Sequence, residues 1–217
     1  MSRVFLLSPA KSGGKRAELI FNPRAGFALA RKLHRGEAVP IGEIFTFLSG
    51  LYFRGKMAYA RTFAQPPRGL AGILVITTNR GLIDADTPIT LEELRALSNV
   101  DIDHEDERYR GPLERDARKL AATLSKRGDA VLLGSISTKK YVHILEAALG
   151  ERLKFPVEFI GRGDMSRGGL LLRHAANEEE LEYAAVVGSV RHGKRPPRLE
   201  PRTWAGTRFG WSKVHAL

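Results

Sequence analysis

Short unbroken apolar runs alternate along the chain with stretches in which apolar residues recur every three or four positions, the pattern of strands interleaved with helices. Arg3 to Leu7 reads as a buried first strand. The polar, glycine-bearing stretch Ser8 to Arg16 follows as a loop, at the place where α/β proteins bind ligands. Pro23 to Arg35 carries Phe27, Ala30 and Leu33 at helical spacing, and Pro40 opens a helix bearing Ile41, Ile44, Phe45 and Leu48. Another helix runs from Gly55 to Ala64 and is ended by Pro66-Pro67. Ile73 to Thr77 is apolar on both faces, which suits a central strand covered on two sides, and Asn79 to Ile89 reads as an irregular loop.

The second half repeats the pattern. Thr90 to Glu93 has the form of a capping box, and Leu113 to Arg127 is an amphipathic helix stopped by Gly128. Ala130 to Gly134 is a strand, Ser137 or Thr138 caps a helix reaching Leu149, and Pro156 to Ile160 reads as a further strand. Asp164 is placed to cap a helix, although Gly168-Gly169 weakens it and Leu170 to Leu172 would also suit a strand; the helix is the expectation. Glu182 to Val187 closes the series as an edge strand, and no internal repeat is visible. The expected fold class is α/β, mixed α+β in detail, with a layered central sheet, flanking helices and a basic tail.

Composition fits a folded chain, with 43% hydrophobic and 27% charged residues, and the absence of cysteine excludes disulfides, thiolate nucleophiles and Cys-based metal sites. The apolar run before Pro9 is too short for a signal segment or a membrane span, so the expectation is a cytoplasmic protein without membrane contact. The charge changes the picture more: 35 Lys and Arg against 24 Asp and Glu leave +11, a field that attracts polyanions. From Arg191 onward seven cations face a single acid, Glu200, and Trp204, Phe209 and Trp211 lie among them. The division is a domain over residues 1–190 and a tail over 191–217. Cations such as Arg195 suit phosphates, and Trp204 and Trp211 suit stacking on bases; the same aromatics would also close an apolar groove if the tail wraps the domain.

Two loops offer sites for an anion. Ser137, Thr138, Lys139 and Lys140 lie at the end of a strand and the start of a helix, where free amides favour negative charge, and a plain Ser/Thr cap is the alternative. Arg162 and Arg167 sit among four glycines, where backbone and guanidinium groups approach a phosphate closely. The acidic run Asp101 to Glu107 reads as a solvated face rather than a metal site, and neither a cofactor nor a metal is expected. No hydrolase triad, P-loop or dinucleotide fingerprint is present.

The order of these segments resembles the YaaA family of bacterial peroxide-stress proteins. Ser8-Pro9-Ala10-Lys11-Ser12 is similar to that family's opening SPAKT, Tyr52 to Tyr59 to its FxGxVYxG stretch, and Gly81 to Ile89 to its GLLRPLDxIxPY loop. Gly134 to Tyr141 stands where the family has an LASxEYxK-like segment, and Arg162 to Arg167 resembles its RGxMSR. The middle loop also resembles a wider group of small domains associated with nucleobase or modified-DNA chemistry. This chain lacks the Pro-Tyr after Ile89 and adds the basic tail, so the likeness is at superfamily level. It implies a mixed α/β fold with a positively charged groove, DNA binding and protection of DNA in oxidative stress. The implied groove is lined by Lys11, Lys56, Tyr59, Ser137 to Lys140, Arg162 and Arg167.

Two functions follow. The leading expectation is a largely sequence-tolerant DNA-binding protein that recognises distorted or damaged DNA, with RNA as a further possible partner. The alternative is a nucleobase-processing enzyme of glycosylase type, with Ser8, Lys11, Asp84 or Asp86, and Ser137 around a pocket at the carboxyl ends of the sheet. In that alternative Asp84 or Asp86 acts as the base or steadies an oxocarbenium-like sugar; both also suit a simple turn.

Overall fold

The computed structural model describes residues 2–200. Six strands, β1 (Arg3–Leu7), β3 (Ile73–Ile76), β4 (Leu82–Asp84), β6 (Asp129–Leu133), β7 (Leu153–Pro156) and β8 (Tyr183–Ala185), form one sheet. Their order is β4-β3-β1-β6-β7-β8. β3, β1, β6 and β7 are parallel, and each edge carries an antiparallel strand, β4 at one side and β8 at the other. β2 (Val39–Pro40) and β5 (Pro88–Ile89) form a separate two-stranded sheet.

The alternation of side chains along β1 divides the interior in two. Phe5 and Leu7 join one core with Val75, Val131 and Leu133, while Val4 and Leu6 join another with Leu74, Ile76 and Leu132. The first is covered by α1 (Lys15–Phe21), α2 (Ala28–His34), α3 (Ile41–Ser49), α4 (Leu51–Phe63), α5 (Leu91–Ser98) and α8 (Asp164–Asn177). The second is covered by α6 (Glu107–Thr123) and α7 (Lys139–Leu149). This is the layered α/β arrangement, helices on both faces of a mostly parallel sheet. None of the described helices is long and apolar enough to cross a membrane.

Several local expectations need correction. The loop after β1 ends at Gly14, because Ala17 and Ile20 bury one side of α1, and Pro23 to Phe27 lies outside any helix. The stretch 79–89 is not wholly irregular: β4 returns antiparallel on β3, and β5 pairs with Val39 and Pro40. The strand expected over Pro156 to Ile160 ends at Pro156, and Val157–Phe159 is a 3-10 turn. α6 starts six residues before Leu113 with Asp106 as its cap, tolerating Pro112 inside it. Thr90 and Glu93 do form the reciprocal capping box of α5, and α8 is a helix through Gly168 and Gly169.

The helix at 164–177 tolerates those glycines because they meet another backbone. A Cβ on Gly168 would lie 2.8 Å from the Cα of Tyr52, and one on Gly55 would lie 2.6 Å from the carbonyl oxygen of Gly168. α4 and α8 therefore touch main chain to main chain, which only glycine allows. Residues 191–200 lie along α7 and α8 without regular structure: Arg191 pairs with Glu146 at 2.7 Å, Arg162 donates to the Pro197 carbonyl, and Leu199 packs on the core.

Candidate active site

The chain leaves β1 towards β3 on one side and later returns to place β6 on the other. In open parallel sheets the crevice at such a reversal, outside the carboxyl ends of the strands, is the usual ligand site. Here it is a pocket of about 880 Å³ between the loop Ser8 to Gly13 and the segment Ser135 to Tyr141, with Tyr52, Lys56, Asp101 and Asp164 also on its walls. Its volume lies near the top of the roughly 300–1,000 Å³ range of small-molecule sites. The first loop is fastened to the end of α5, where Ser12 Oγ donates to the Leu97 carbonyl and Ser98 Oγ donates to the Ser12 carbonyl.

Lys56 stands on the buried stripe of α4 with Tyr52, Phe53, Met57 and Ala60, and only 1% of it is exposed. Its Nζ donates to the Ser8 carbonyl at 3.0 Å and to Ser8 Oγ at 2.6 Å, and lies 4.0 Å from the centre of the Tyr52 ring. Among the described residues no carboxylate forms an ion pair with it. Burial pushes this amine down from 10.5 to about 7; Asp164 works against that shift and Arg167 adds to it. Lys56 is thus poised to be neutral or charged near neutral pH.

Two tyrosines complete the floor. Burial pushes Tyr141 above the usual phenol range, with the Ser8 side chain and the Ser135 backbone as its polar neighbours working the other way. Gly134 makes room for this: a Cβ there would lie 2.8 Å from both the Tyr141 hydroxyl and Ser8 Cβ. Tyr52 is shifted upward by burial, with the Arg167 guanidinium working the other way. Asp164 faces Arg167, with 3.5 Å between carboxylate and guanidinium.

The pocket brings together five of the residues singled out from sequence: Ser8, Lys11, Lys56, Thr138 and Lys140. The rest lie elsewhere. Tyr59 is fully buried beneath the sheet, its ring edge-on to Phe5 and its hydroxyl accepting from the Leu181 amide and meeting Tyr183, so it cannot line a groove. Ser137 and Lys139 are exposed beside the pocket; Thr138 is the N-cap residue of α7, yet neither its side chain nor that of Ser137 makes the expected cap bond. Arg167 is buried and donates to the Phe159 carbonyl, while Arg162 and Arg195 line a smaller cavity of about 280 Å³ at the start of α8. Trp204 and Trp211 lie outside the described residues.

Asp84 and Asp86 do not line this pocket. Because β4 runs back antiparallel, Asp84 sits opposite Leu74, away from the carboxyl end of β3. Asp84 accepts the Asp86 amide in a turn, and Asp86 pairs with Arg61. Tyr52, Tyr141, Asp164 and Ser135 also line the site, whereas the sequence marks them only as members of longer motifs or, for Asp164, as a helix cap. The signal for the floor was a lysine placed on an apolar helical stripe, four residues after Tyr52 and four before Ala60.

Comparison of the chain with family models, with curated proteins and with solved structures finds no match.

Proposed function

We propose that the protein is an enzyme acting on nucleic acid, which grips the strand by surface cations and reacts with one nucleotide unit seated in the pocket between β1 and β6. The observation that supports this most is the Lys56–Ser8 pair on the floor of a pocket whose walls carry Lys11 and Lys140. An amine buried without a carboxylate costs the fold several kcal/mol. Groups of this kind concentrate where chemistry requires a base or nucleophile near neutral pH. A cavity of about 880 Å³ holds a nucleotide unit drawn out of the strand, and the +11 charge favours a polyanionic substrate.

A second reading, strand binding without chemistry and of the kind that protects DNA, is favoured by the cation-rich stretch from Arg191 onward. Fluorescence anisotropy on labelled single-stranded and duplex DNA and RNA over a salt series, with product analysis of the same mixtures, separates the two. Salt-sensitive binding accompanied by a released base, nucleotide or cleaved strand supports the enzyme. Binding with no product leaves the second reading standing, and no binding at moderate salt overturns both.

A further inference from the structure

We propose that Ser8 is a covalent nucleophile, with Lys56 as its general base and Tyr141 as the proton donor to the leaving group, and that it attacks the phosphorus of a phosphate ester. This rests on the same pocket as the function proposed above and names the bond at stake. Ser8 is 6% exposed and Lys56 1%, and both line the pocket. A serine becomes a nucleophile when a base is held within hydrogen-bond reach and is itself oriented by a further group. Lys56 meets both conditions: its Nζ is 2.6 Å from Ser8 Oγ, and the Ser8 carbonyl and the Tyr52 ring fix where it points. When Lys56 is neutral, its lone pair takes the Ser8 proton.

The missing side chain of Gly134 lets the Tyr141 hydroxyl stand against the Ser8 side chain, its hydrogen-bond neighbour. A phenol kept protonated by burial is a suitable acid beside a departing oxygen. A hydroxyl nucleophile suits phosphorus better than an anomeric carbon, where a carboxylate is the usual partner. Lys11 and Lys140 supply positive charge for the phosphate oxygens. The charged and titratable groups around Lys56 are Asp164 and Arg167 from α8, Tyr52 from its own helix, Tyr141 from α7 and Lys11 from the loop after β1.

In the first step the Ser8 proton passes to Lys56 as the Oγ–P bond forms. The P–O bond to the alcohol breaks, and that oxygen takes the Tyr141 proton. In the second step water attacks phosphorus and returns a proton to the Tyr141 phenolate. The P–Oγ bond then breaks, and Ser8 recovers its proton from the Lys56 ammonium.

A fluorophosphonate probe tests the pair without any nucleic acid. Its P–F bond breaks as Ser8 Oγ bonds to phosphorus, fluoride leaves, and Lys56 takes the proton. The expected result is one adduct, mapped by mass spectrometry to Ser8, formed faster as pH rises through about 7. It should be absent in Ser8→Ala and slowed about 100-fold or more in Lys56→Met. The pH profile and the mapped site come from the unaltered protein, so a variant that folds poorly does not spoil the test. No adduct on Ser8 at pH 9, or a rate flat from pH 6 to 9, overturns the nucleophile. Hydrolysis of 4-nitrophenyl acetate but not of bis(4-nitrophenyl) phosphate overturns the phosphate assignment. Product released from a bound strand in spite of either failure would leave the proposed function standing without this nucleophile or this bond, which keeps the two separable.

Discussion

Replacing Lys56 by methionine should make the protein more stable at neutral pH relative to alkaline pH, and the difference follows from proton linkage. Methionine keeps the unbranched shape and fits the apolar stripe of α4. The folded lysine loses its proton near pH 7 and the unfolded one near 10.5. Between these values the unfolded chain holds a proton that the folded chain does not, so the wild-type protein gains about 1.4 kcal/mol of stability per pH unit as pH rises. Below about 7 both states are protonated and the slope vanishes; above 10.5 the gain is complete. From pH 7.5 to 9.5 the wild type therefore gains about 2.7 kcal/mol relative to Lys56→Met. Loss of the two bonds to Ser8 adds a constant offset of about 1–3 kcal/mol against the variant, independent of pH. The assay is urea unfolding of both proteins at pH 7.5, 8.5 and 9.5. With m near roughly 2.5 kcal/mol/M, the difference between their midpoints should move by about 1 M. Subtraction removes the titration of groups the two proteins share. A difference that stays constant across this range would show that Lys56 keeps its proton when folded, and would remove the base from the proposed chemistry.

Gly168→Ala forces the α4–α8 contact apart, since the new Cβ would sit 2.8 Å from Tyr52 Cα. Overpacking of up to about 3 kcal/mol exceeds the roughly 1 kcal/mol gained in helix propensity, and Tm should fall by a few degrees in a calorimetric scan. The double variant Lys11→Ala, Lys140→Ala should flatten the dependence of log K on log salt by about 1–2 for a bound strand, and an unchanged slope would take both lysines off the phosphate path. Asp84→Asn and Asp86→Asn should leave any product formation at wild-type rate, because neither residue reaches the pocket; a loss of about 100-fold in either would restore the carboxylate mechanism. Ending the chain after Glu200 should preserve stability better than ending it after Val190, because only the second cut removes Leu199 from the core and Arg191 from Glu146; equal melting temperatures would contradict this.

The sheet was legible where apolar runs are long enough to be buried on both faces, as in β1, β3 and β6. β4 and β5 were not, because a three-residue and a two-residue strand leave no periodicity to read. Pro156 to Ile160 looked like a strand because its residues are apolar, yet Phe159 fills the core from a 3-10 turn rather than a ladder. For the site, Ser8, Lys11 and Lys56 entered chiefly through resemblance, and their convergence depends on the order of strands, which no local pattern encodes. Tyr59 illustrates the limit. It shares a helix face with Lys56, but lies three positions, about 4.5 Å, farther along the axis, where its ring meets Phe5 instead of the pocket. Asp84 fails for a different reason, a reversal of chain direction at β4 that the loop composition does not announce.

The position of the first strand at the middle of the sheet has a consequence for synthesis. β1 leaves the ribosome well before its second neighbour, β6, which pairs Asp129 with Arg3 and Leu133 with Leu7. At about 5–20 residues per second, Val4 to Leu7 waits on the order of 6–25 s with one edge unfilled. During that interval an apolar strand with free amides and carbonyls is available to any other nascent chain, and loss of yield at high expression should begin there rather than at the finished surface.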